Sequence, residues 1–354
     1  MIRLCLRNVL FSPTLINRIS SFASRYLTST IIVLCFFSIP VLLSTQIAPN
    51  KFYLAGFISL TIPVFVGGIL FSFFYFVLKK SRWSILPLLI VIFFWPLISD
   101  FFGLRSEQAP ISKNSISIIS YNVRGFKDKA KPKKKRDSQA EITHWLDTLG
   151  ADIICLQEAS DPAQMRSVLV AFQDFFSGKT NPDSSTFGVM ILSRFPMVDK
   201  GSIEFAHNSF NRCVWADIVV NSDTIRIMNV HLKSYVFQDY RRWEKLKTMR
   251  DALIGRSYHI GLLIRFIEQS PYPVILAGDF NETSHSYVYQ KLNSILKNTF
   301  EYSGTFFQHS FALGPIPFRI DHIFVDAKFS VLNYNTHYEH TWSDHFPVEA
   351  TLGF

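Results

Sequence analysis

Hydrophobic positions divide the chain into two parts. Between residues 27 and 103 the chain is almost free of charge and is rich in Phe, Ile, Leu and Val. This part contains three apolar stretches, at 27–48, 52–78 and 84–103. Each is close to the roughly 20 residues that a helix needs to cross the hydrocarbon core of a bilayer. The pattern predicts a membrane anchor of about three transmembrane helices, with two as the alternative.

Basic residues beside these stretches predict the orientation of the anchor. The tail of residues 1–26 carries four arginines, the loop at 49–51 one lysine, and the loop at 79–82 three basic residues. Lys and Arg concentrate in cytoplasmic loops. With three spans, the rest of the chain lies on the non-cytoplasmic side of an inner (plasma) membrane. With two spans, it is cytoplasmic.

After a short linker at 104–113, residues 114–354 show the pattern of a globular domain. Short apolar runs rich in β-branched residues alternate with turns, as β-strands do. Helices are predicted before Gly150, as a C-cap, and near 237–269. Since most strands are apolar on both faces, we expect an α/β sandwich. Strands are predicted at 116–123, 151–157, 187–193, 213–220, 224–232, 273–278, 320–326 and 346–352.

The net charge of +9 suggests an anionic partner until it is divided along the chain. Residues 1–103 carry eight basic residues and one acidic residue, so the remainder has a net charge of only +2. Most of the basicity therefore belongs to the predicted anchor, where it sets orientation and says little about a ligand.

Four cysteines, at positions 5, 35, 155 and 213, lack the close spacing of a zinc site or of a dense disulfide framework. Cys155 lies inside an apolar run and is expected to be a buried thiol. A Cys155–Cys213 bridge in an oxidising compartment stays open, because the sequence does not give their distance.

Polar side chains that bind metals or transfer protons follow apolar strands at six places. A lone Asn or Asp after a strand is usually a turn residue. Their joint occurrence favours a functional cleft instead, because strand ends at one edge of a sheet converge. The residues are Asn122, Glu158, Asn229 with His231, Asp279 with Asn281, Asp321 with His322, and Ser343 with Asp344 and His345.

This set of side chains is suited to the hydrolysis of phosphoesters. Glu158 and Asp344 offer hard oxygen ligands for Mg²⁺ or Mn²⁺. Asp279 could orient and deprotonate a water molecule, and Asn122 and Asn281 supply neutral hydrogen-bond donors. No covalent nucleophile is needed, so direct attack by water is the simpler mechanism.

The sequence strings around these residues resemble one known family. The strings SYNVRGF, DIICLQE, NVHLKS, GDFNET, RIDHIFV and SDHFPV occur in order, over about 240 residues. They are similar to the motif series of the endonuclease/exonuclease/phosphatase superfamily, which includes deoxyribonucleases, abasic-site endonucleases and sphingomyelinases. The resemblance implies a four-layered α/β sandwich with two mixed β-sheets, here in a membrane-anchored bacterial member.

The resemblance also implies a metal site and a way to activate water. Glu158 would be the principal ligand of Mg²⁺ or Mn²⁺, assisted by Asn122 and Asp344. Asp279 would position or activate the attacking water, and Asn281 would help to bind the scissile phosphate. These roles come from the match to the motifs.

Further residues are implied to contact the phosphate. His345 would contact it directly, with Asp321 as its carboxylate partner, and His231 would lie on the opposite side. Arg212 and Asn229 are implied as additional phosphate-binding residues. None of the residues that the motifs require is missing, which argues against a non-catalytic scaffold built on this fold.

The motifs leave the substrate open, because they address one phosphate and a metal. The run at 127–136 holds seven basic residues and could track a nucleic-acid backbone or bind anionic lipid headgroups. We give a slight preference to a nucleic-acid phosphodiester. The alternative is a phospholipid, sphingomyelin or inositol-phosphate substrate at the membrane surface, for which the aromatic segment 300–318 could form a rim. No protein partner is predicted.

Overall fold

The predicted linker at 104–113 and the basic run at 127–136 lie outside the residues that the structure describes. The computed structural model describes residues 13–103, 115–126, 138–160, 165, 169–180, 186–205, 210–235, 242–305, 308–313, 316–339 and 341–354.

The apolar N-terminal part forms helices. Their bounds are α1 Pro13–Leu43, α2 Tyr53–Ser59, α3 Ile62–Leu78, α4 Ile85–Phe93 and α5 Trp95–Phe102. By length and composition, the segment Ser24–Gln46 is able to cross a membrane. A second span results if α2 and α3, which meet at a bend of 50°, count as one. In the third predicted stretch the helix breaks at Phe94, where the proline that follows starts a new helix.

These helices pack on one another and leave apolar side chains on the outside. Ile31, Ile69 and Phe76 are buried in their common core. Phe37 and Phe71 are more than 60% exposed. Helices that are apolar on all sides are typical of a lipid environment or of a large protein core.

The C-terminal part contains two six-stranded mixed sheets. The first has the order β13-β14-β1-β2-β4-β3 and the second β5-β6-β7-β8-β12-β9. The pairs β1–β2 and β7–β8 are parallel. The strands are β1 Ser115–Asn122, β2 Ile153–Ala159, β3 Gln173–Thr180, β4 Thr186–Ser193, β5 Met197–Glu204, β6 Arg212–Val220, β7 Asp223–His231, β8 Val274–Asp279, β9 Lys297–Asn298, β10 Phe311–Leu313, β11 Ile316–Phe318, β12 Asp321–Val325, β13 Ser330–Thr336 and β14 Val348–Gly353.

Helices cover the outer faces of both sheets. Ile118 of the first sheet and Ile227 of the second share the core between the sheets. Leu146 packs on the outer face of the first sheet and Leu263 on that of the second. This is the predicted four-layered sandwich. The helices of this part are α6 Gln139–Leu149, α7 Arg242–Glu268, α8 Tyr287–Asn293 and α9 Thr299–Ser303.

The predicted elements match the buried strands well and miss the exposed ones. All eight predicted strands are present, and Gly150 ends α6 with a φ of 69°. The strands β3, β5, β9 and β13 and the hairpin β10–β11 were not predicted. Most residues of β5 are exposed or half-buried, so its sequence lacks the apolar run that marked the others.

Hydrogen bonds at two places join the N-terminal helices to the sandwich. Asn50, just before α2, accepts a hydrogen bond from Ser257 of α7 at 3.1 Å. The carbonyl of Asp100, near the end of α5, accepts one from Arg319 at 3.0 Å, and its carboxylate accepts one from Gln290 at 3.3 Å. The start of α2 and the end of α5 therefore both rest on the sandwich.

Candidate active site

One carboxylate oxygen lies at the centre of the polar strand ends. Asp279, the last residue of β8, is 1% exposed. Its Oδ2 accepts a hydrogen bond from Asn122 at 2.9 Å. The same oxygen lies 3.7 Å from Nε2 of His231 and 3.8 Å from Nε2 of His345. Two imidazole rings therefore face one buried carboxylate.

Strand register brings these residues together. On the parallel strand β7, His231 pairs with Asp279, and on the antiparallel strand β12, Asp321 pairs with the same residue. Gly278 precedes Asp279 with a φ of 146°, and a Cβ there would meet the carbonyl oxygen of Val230 at 2.0 Å. Only glycine permits this close pairing of β7 and β8.

Glu158 enters the site through an irregularity at the end of β2. The pairing of β2 with β4 shifts between Leu156 and Ala159, and Glu158 has a φ of 50°. Irregularities of this kind redirect side chains beside active sites. Oε1 of Glu158 lies 3.2 Å from Nδ2 of Asn122 and 3.7 Å from Nε2 of His231. Its side chain is 39% exposed, so the carboxylate is open to solvent or to a ligand.

The loop with Asp344 is fixed to the end of β1. Ser343 Oγ donates to the carbonyl of Asn122 at 2.7 Å and accepts from the amide of His345 at 3.2 Å. The carboxylate of Asp344 lies 3.5 Å from Nε of Arg124. A second partly exposed carboxylate is thereby held at the same strand end as Asn122.

His345 is held by a buried carboxylate. Its Nδ1 lies 2.8 Å from Oδ2 of Asp321, and Ser310 Oγ accepts a hydrogen bond from the amide of Asp321 at 2.9 Å. Burial lowers the pKa of His345, but the charges of Asp321 and Asp279 outweigh it and raise the pKa overall. The protonated imidazole is therefore favoured, with Nε2–H directed at the cleft. No sequence motif pointed to Ser310.

The donors present fit a hard divalent cation. Glu158 and Asp344 supply carboxylate oxygens, which Mg²⁺ and Mn²⁺ prefer. Nε2 of His231 is buried, without a hydrogen-bond partner in the described part of the chain, and faces Glu158. A buried nitrogen in this state calls for a ligand or a water molecule.

A second group of possible ligands surrounds Asp279. Atoms of Asp279, Asp321 and His345 lie within 4.8 Å of one another. Asp321 and His345 are already bonded to each other at 2.8 Å, which favours a histidine–carboxylate pair over two metal ligands. The oxygens of Glu158 and Asp344 are the better candidates, because both side chains are partly exposed.

Asn122 is placed to orient carboxylates. Its amide nitrogen donates to both Glu158 and Asp279, and its oxygen accepts from the amide of Arg124 at 3.0 Å. Binding a metal through this oxygen would require the amide group to rotate by half a turn, since its oxygen and nitrogen occupy opposite positions.

Asn229 lies between the two sheets, outside the cleft. It is fully buried, and its Nδ2 donates to the carbonyls of Leu156 and Met190 at 3.0 and 2.7 Å. Its oxygen accepts from Gln157 at 2.7 Å. Because these bonds use both amide hydrogens and the oxygen, Asn229 has no hydrogen left to donate to the predicted phosphate in this structure. Gln157, a buried amide that the sequence analysis overlooked, is its partner.

Arg212 and Asn281 lie beside the central group. Arg212 is paired with His231 across β6 and β7, and its guanidinium donates to Ser177 Oγ at 2.7 Å. Asn281 has a φ of 52°, and its backbone amide donates to Oδ1 of Asp279 at 2.9 Å. Its side chain donates to the carbonyl of Leu232 at 3.1 Å. Asn281 therefore fixes the second oxygen of Asp279.

The two candidate cysteines for a bridge are free thiols. Cys155 and Cys213 are both fully buried in the sandwich. Burial raises the pKa of each thiol well above its usual value. Such cysteines behave as small apolar side chains.

Sequence comparison assigns this fold and site to a family. Residues 119–345 match the sequence model of the Endonuclease/Exonuclease/phosphatase family. Because the match covers more than half of the chain, the protein belongs to this family. Residues 24–101 match a model described as a domain of unknown function, DUF8431. No curated protein matches the chain in sequence.

Solved structures share the fold of the sandwich. An endonuclease/exonuclease/phosphatase family protein from Bacteroides thetaiotaomicron is 21% identical, with a TM-score of 0.52 over 68% of this chain and 97% of that one. TDP2 from Caenorhabditis elegans is 18% identical, with a TM-score of 0.52 over 69% and 76%. A mannosyl-6-phosphatase from Bacteroides thetaiotaomicron is 20% identical, with a TM-score of 0.51 over 68% and 100%. At these identities the likeness concerns the fold alone.

Proposed function

We propose that this protein hydrolyses a phosphoester, with Mg²⁺ or Mn²⁺ as cofactor, by direct attack of water. The observation that carries the proposal is the position of Asp279 Oδ2 between Nε2 of His231 and Nε2 of His345, at 3.7 and 3.8 Å. A cation held by Glu158 and Asp344 would supply Lewis-acid stabilisation of charge on the phosphoryl oxygens.

The residues around Asp279 divide the remaining work. Asp279 orients a water molecule and accepts its proton, as a buried carboxylate with fixed hydrogen bonds is suited to do. His345 is kept protonated by Asp321 and donates a hydrogen bond to a phosphoryl oxygen. Nε2 of His231 approaches from the other side, and Asn281 holds Asp279 in orientation. No step requires a covalent intermediate.

The proposed function names the bond that is hydrolysed and does not specify the rest of the substrate. The roles proposed for the residues around Asp279 all concern one phosphate group, its cation and the attacking water. The preference for nucleic acid rested on the run at 127–136, which lies outside the described residues. A catalytically silent scaffold would lack part of the group, whereas Glu158, Asp279, Asp321 and His345 are all present.

Removal of the metal is the direct test of this function. The full-length protein in detergent is assayed on a chromogenic phosphodiester, plasmid DNA, RNA and sphingomyelin. We expect hydrolysis of at least one of these substrates, its loss in EDTA and its return with Mg²⁺ or Mn²⁺. Glu158→Gln should lower the rate by at least about two orders of magnitude at saturating metal, as the loss of a charged ligand predicts.

The control variant for this test is Glu268→Gln, which changes an exposed carboxylate at the end of α7. It should leave the rate within about twofold, as expected for a surface substitution. Activity that persists in EDTA, or a Glu158→Gln protein as active as the control, would contradict the proposed role of the metal.

We also propose that the N-terminal helices anchor the protein in a membrane, with α4 and α5 together as the third span and the sandwich on the non-cytoplasmic side of the inner (plasma) membrane. The segment 79–82, with three basic residues, lies at the opposite end of α3 from α2, which contacts the sandwich. Basic loops stay cytoplasmic.

Reporter fusions test this orientation. Alkaline phosphatase joined after Phe354 should be active in a bacterial host, whereas a fusion after Lys80 should be inactive. Two inactive fusions would place the sandwich in the cytoplasm and would indicate two spans. An active Lys80 fusion with an inactive Phe354 fusion would indicate that the anchor has the opposite orientation.

A further inference from the structure

A cavity of about 490 Å³ opens from the catalytic group toward the N-terminal helices. His345 and Asn281 line it on the side of the catalytic group. Leu60 and Pro63, from the bend between α2 and α3, also line it. The volume falls within the roughly 300–1,000 Å³ of sites for small organic ligands. The cavity therefore connects the proposed reaction centre with the proposed membrane anchor.

Aliphatic and aromatic side chains form most of its wall. The hairpin β10–β11 contributes Phe311, Ile316 and Phe318, and α7 contributes Met249. The ring of Phe311 lies 4.9 Å from that of His345, and the two residues form an isolated β-bridge. The apolar wall thus begins directly beside the group that is proposed to contact phosphate.

The cavity offers little to a nucleic-acid backbone. Among its lining residues, all in the described part of the chain, Arg319 is the only Lys or Arg. This arginine is half-buried, lies 3.3 Å from the centre of the Phe300 ring and donates to the carbonyl of Asp100 at 3.0 Å. Binding of nucleic acid depends on several solvent-facing cations. An aliphatic ligand fits these walls better.

Exposed side chains at Ile316 and just ahead of Met249, two residues that line the cavity, have the composition of a membrane interface. Ile316 is 54% exposed at the tip of the hairpin. On the first turns of α7, ahead of Met249, Trp243 is 80% and Leu246 43% exposed, beside the exposed Lys247. Exposed Trp and Lys beside aliphatic side chains are typical of segments that lie at the headgroup level. A lipid tail could pass from the bilayer into the cavity beside Ile316.

From these observations we infer that the substrate is a lipid phosphoester, whose aliphatic tail occupies the cavity while its phosphate lies at Asp279. This inference rests on the proposed function and names the substrate class for the same site. Tail binding at Leu60 and Pro63 would explain why the apolar helices pack against the sandwich beside the reaction centre.

A pair of substrates that differ only in the tail tests the inference. Hexadecyl 4-nitrophenyl phosphate and methyl 4-nitrophenyl phosphate share one leaving group. They are assayed with the full-length protein in dodecyl maltoside micelles with Mg²⁺ or Mn²⁺. We expect kcat/KM to be at least about 100-fold higher for the hexadecyl ester, which requires the burial of only about four methylene groups.

Two variants distinguish a hexadecyl preference caused by the cavity from one caused by the micelle. Ile316→Arg places a charge at the mouth of the cavity and should lower the hexadecyl-to-methyl ratio at least about tenfold, since a tail must then pass a charge. Leu332→Arg changes a similarly exposed aliphatic residue on β13, away from the cavity, and should preserve the ratio. Activity on the methyl ester shows that each variant is folded.

Each other result has a definite meaning. Metal-dependent hydrolysis of both esters at equal kcat/KM overturns the lipid inference and leaves the phosphoesterase function standing. A hexadecyl preference that Ile316→Arg leaves intact also overturns it, because the micelle then causes the preference. Faster cleavage of a DNA oligonucleotide than of either ester assigns the site to nucleic acid. Inactivity on all three substrates removes the proposed function together with the inference.

Discussion

Replacing Asp279 by Asn is expected to lower kcat by about 10³-fold or more, because the variant loses the carboxylate that accepts the proton of the attacking water. Asn122 donates to Oδ2 of Asp279 and the backbone of Asn281 to Oδ1, so the single amide oxygen of Asn can keep one of these two hydrogen bonds. Loss of the other should cost about 1–3 kcal/mol, which is less than the stability of a typical domain. The fold should therefore be preserved. The rate is measured at saturating metal on whichever substrate the wild-type protein hydrolyses, together with the thermal unfolding midpoint.

Asp199→Asn is the matched control, since this carboxylate is exposed on β5. It should change kcat by less than about twofold, in keeping with surface substitutions elsewhere in proteins. If Asp279→Asn retains more than a tenth of the wild-type rate, Asp279 does not act as the base. The two histidines beside it would then need another role.

Strand ends were predictable from the sequence because they combine an apolar run with a polar residue. Asp321 and His322 show the limit of that signal. Successive side chains of a strand point to opposite faces. Asp321 accordingly reaches His345, whereas His322 is buried among helices and bonds the carbonyl of Glu282 at 2.8 Å. The sequence placed both residues at one strand end, and only the pleat distinguishes them.

Asn229 and His231 show a second limit. The two residues lie on the same face of β7, but Asn229 is two positions further from the strand end. That spacing places it about 6.6 Å deeper between the sheets. The residues it contacts, Leu156 and Met190, belong to the other sheet. A sequence motif records both polar residues without recording the depth at which each one lies.

The cavity was beyond prediction because its walls come from distant parts of the chain. Leu60 and Phe318 are separated by more than 250 positions, yet both line it. The hairpin β10–β11 consists of two three-residue strands, too short for a periodic signal. The aromatic residues of segment 300–318 were predicted to form a rim. The structure adds where they lie, because Phe311 and Phe318 line the cavity together with Leu60.

Loss of the buried ion pair between Arg256 and Glu282 is expected to destabilise the sandwich by about 3–5 kcal/mol, because either single substitution leaves a charge or its donors buried without a partner. Arg256 is fully buried, and its Nε donates to Glu282 at 2.6 Å. Its guanidinium also lies 4.2 Å from the ring of Tyr235 and donates to the carbonyl of Lys233. Burial raises the pKa of Glu282, which shows how much its charge depends on the arginine.

The pair joins α7 to the segment that follows Asp279, so its loss should also loosen the reaction centre. Glu282→Gln is expected to lower the thermal unfolding midpoint by about 6 °C or more. Arg256→Met combined with Glu282→Met should recover most of that loss, since two apolar side chains leave no buried charge. Asp251→Asn removes a half-exposed ion pair with Arg250 on the same helix and should cost at most about 1 kcal/mol. A Glu282→Gln protein as stable as Asp251→Asn would show that the buried pair does not hold this segment in place.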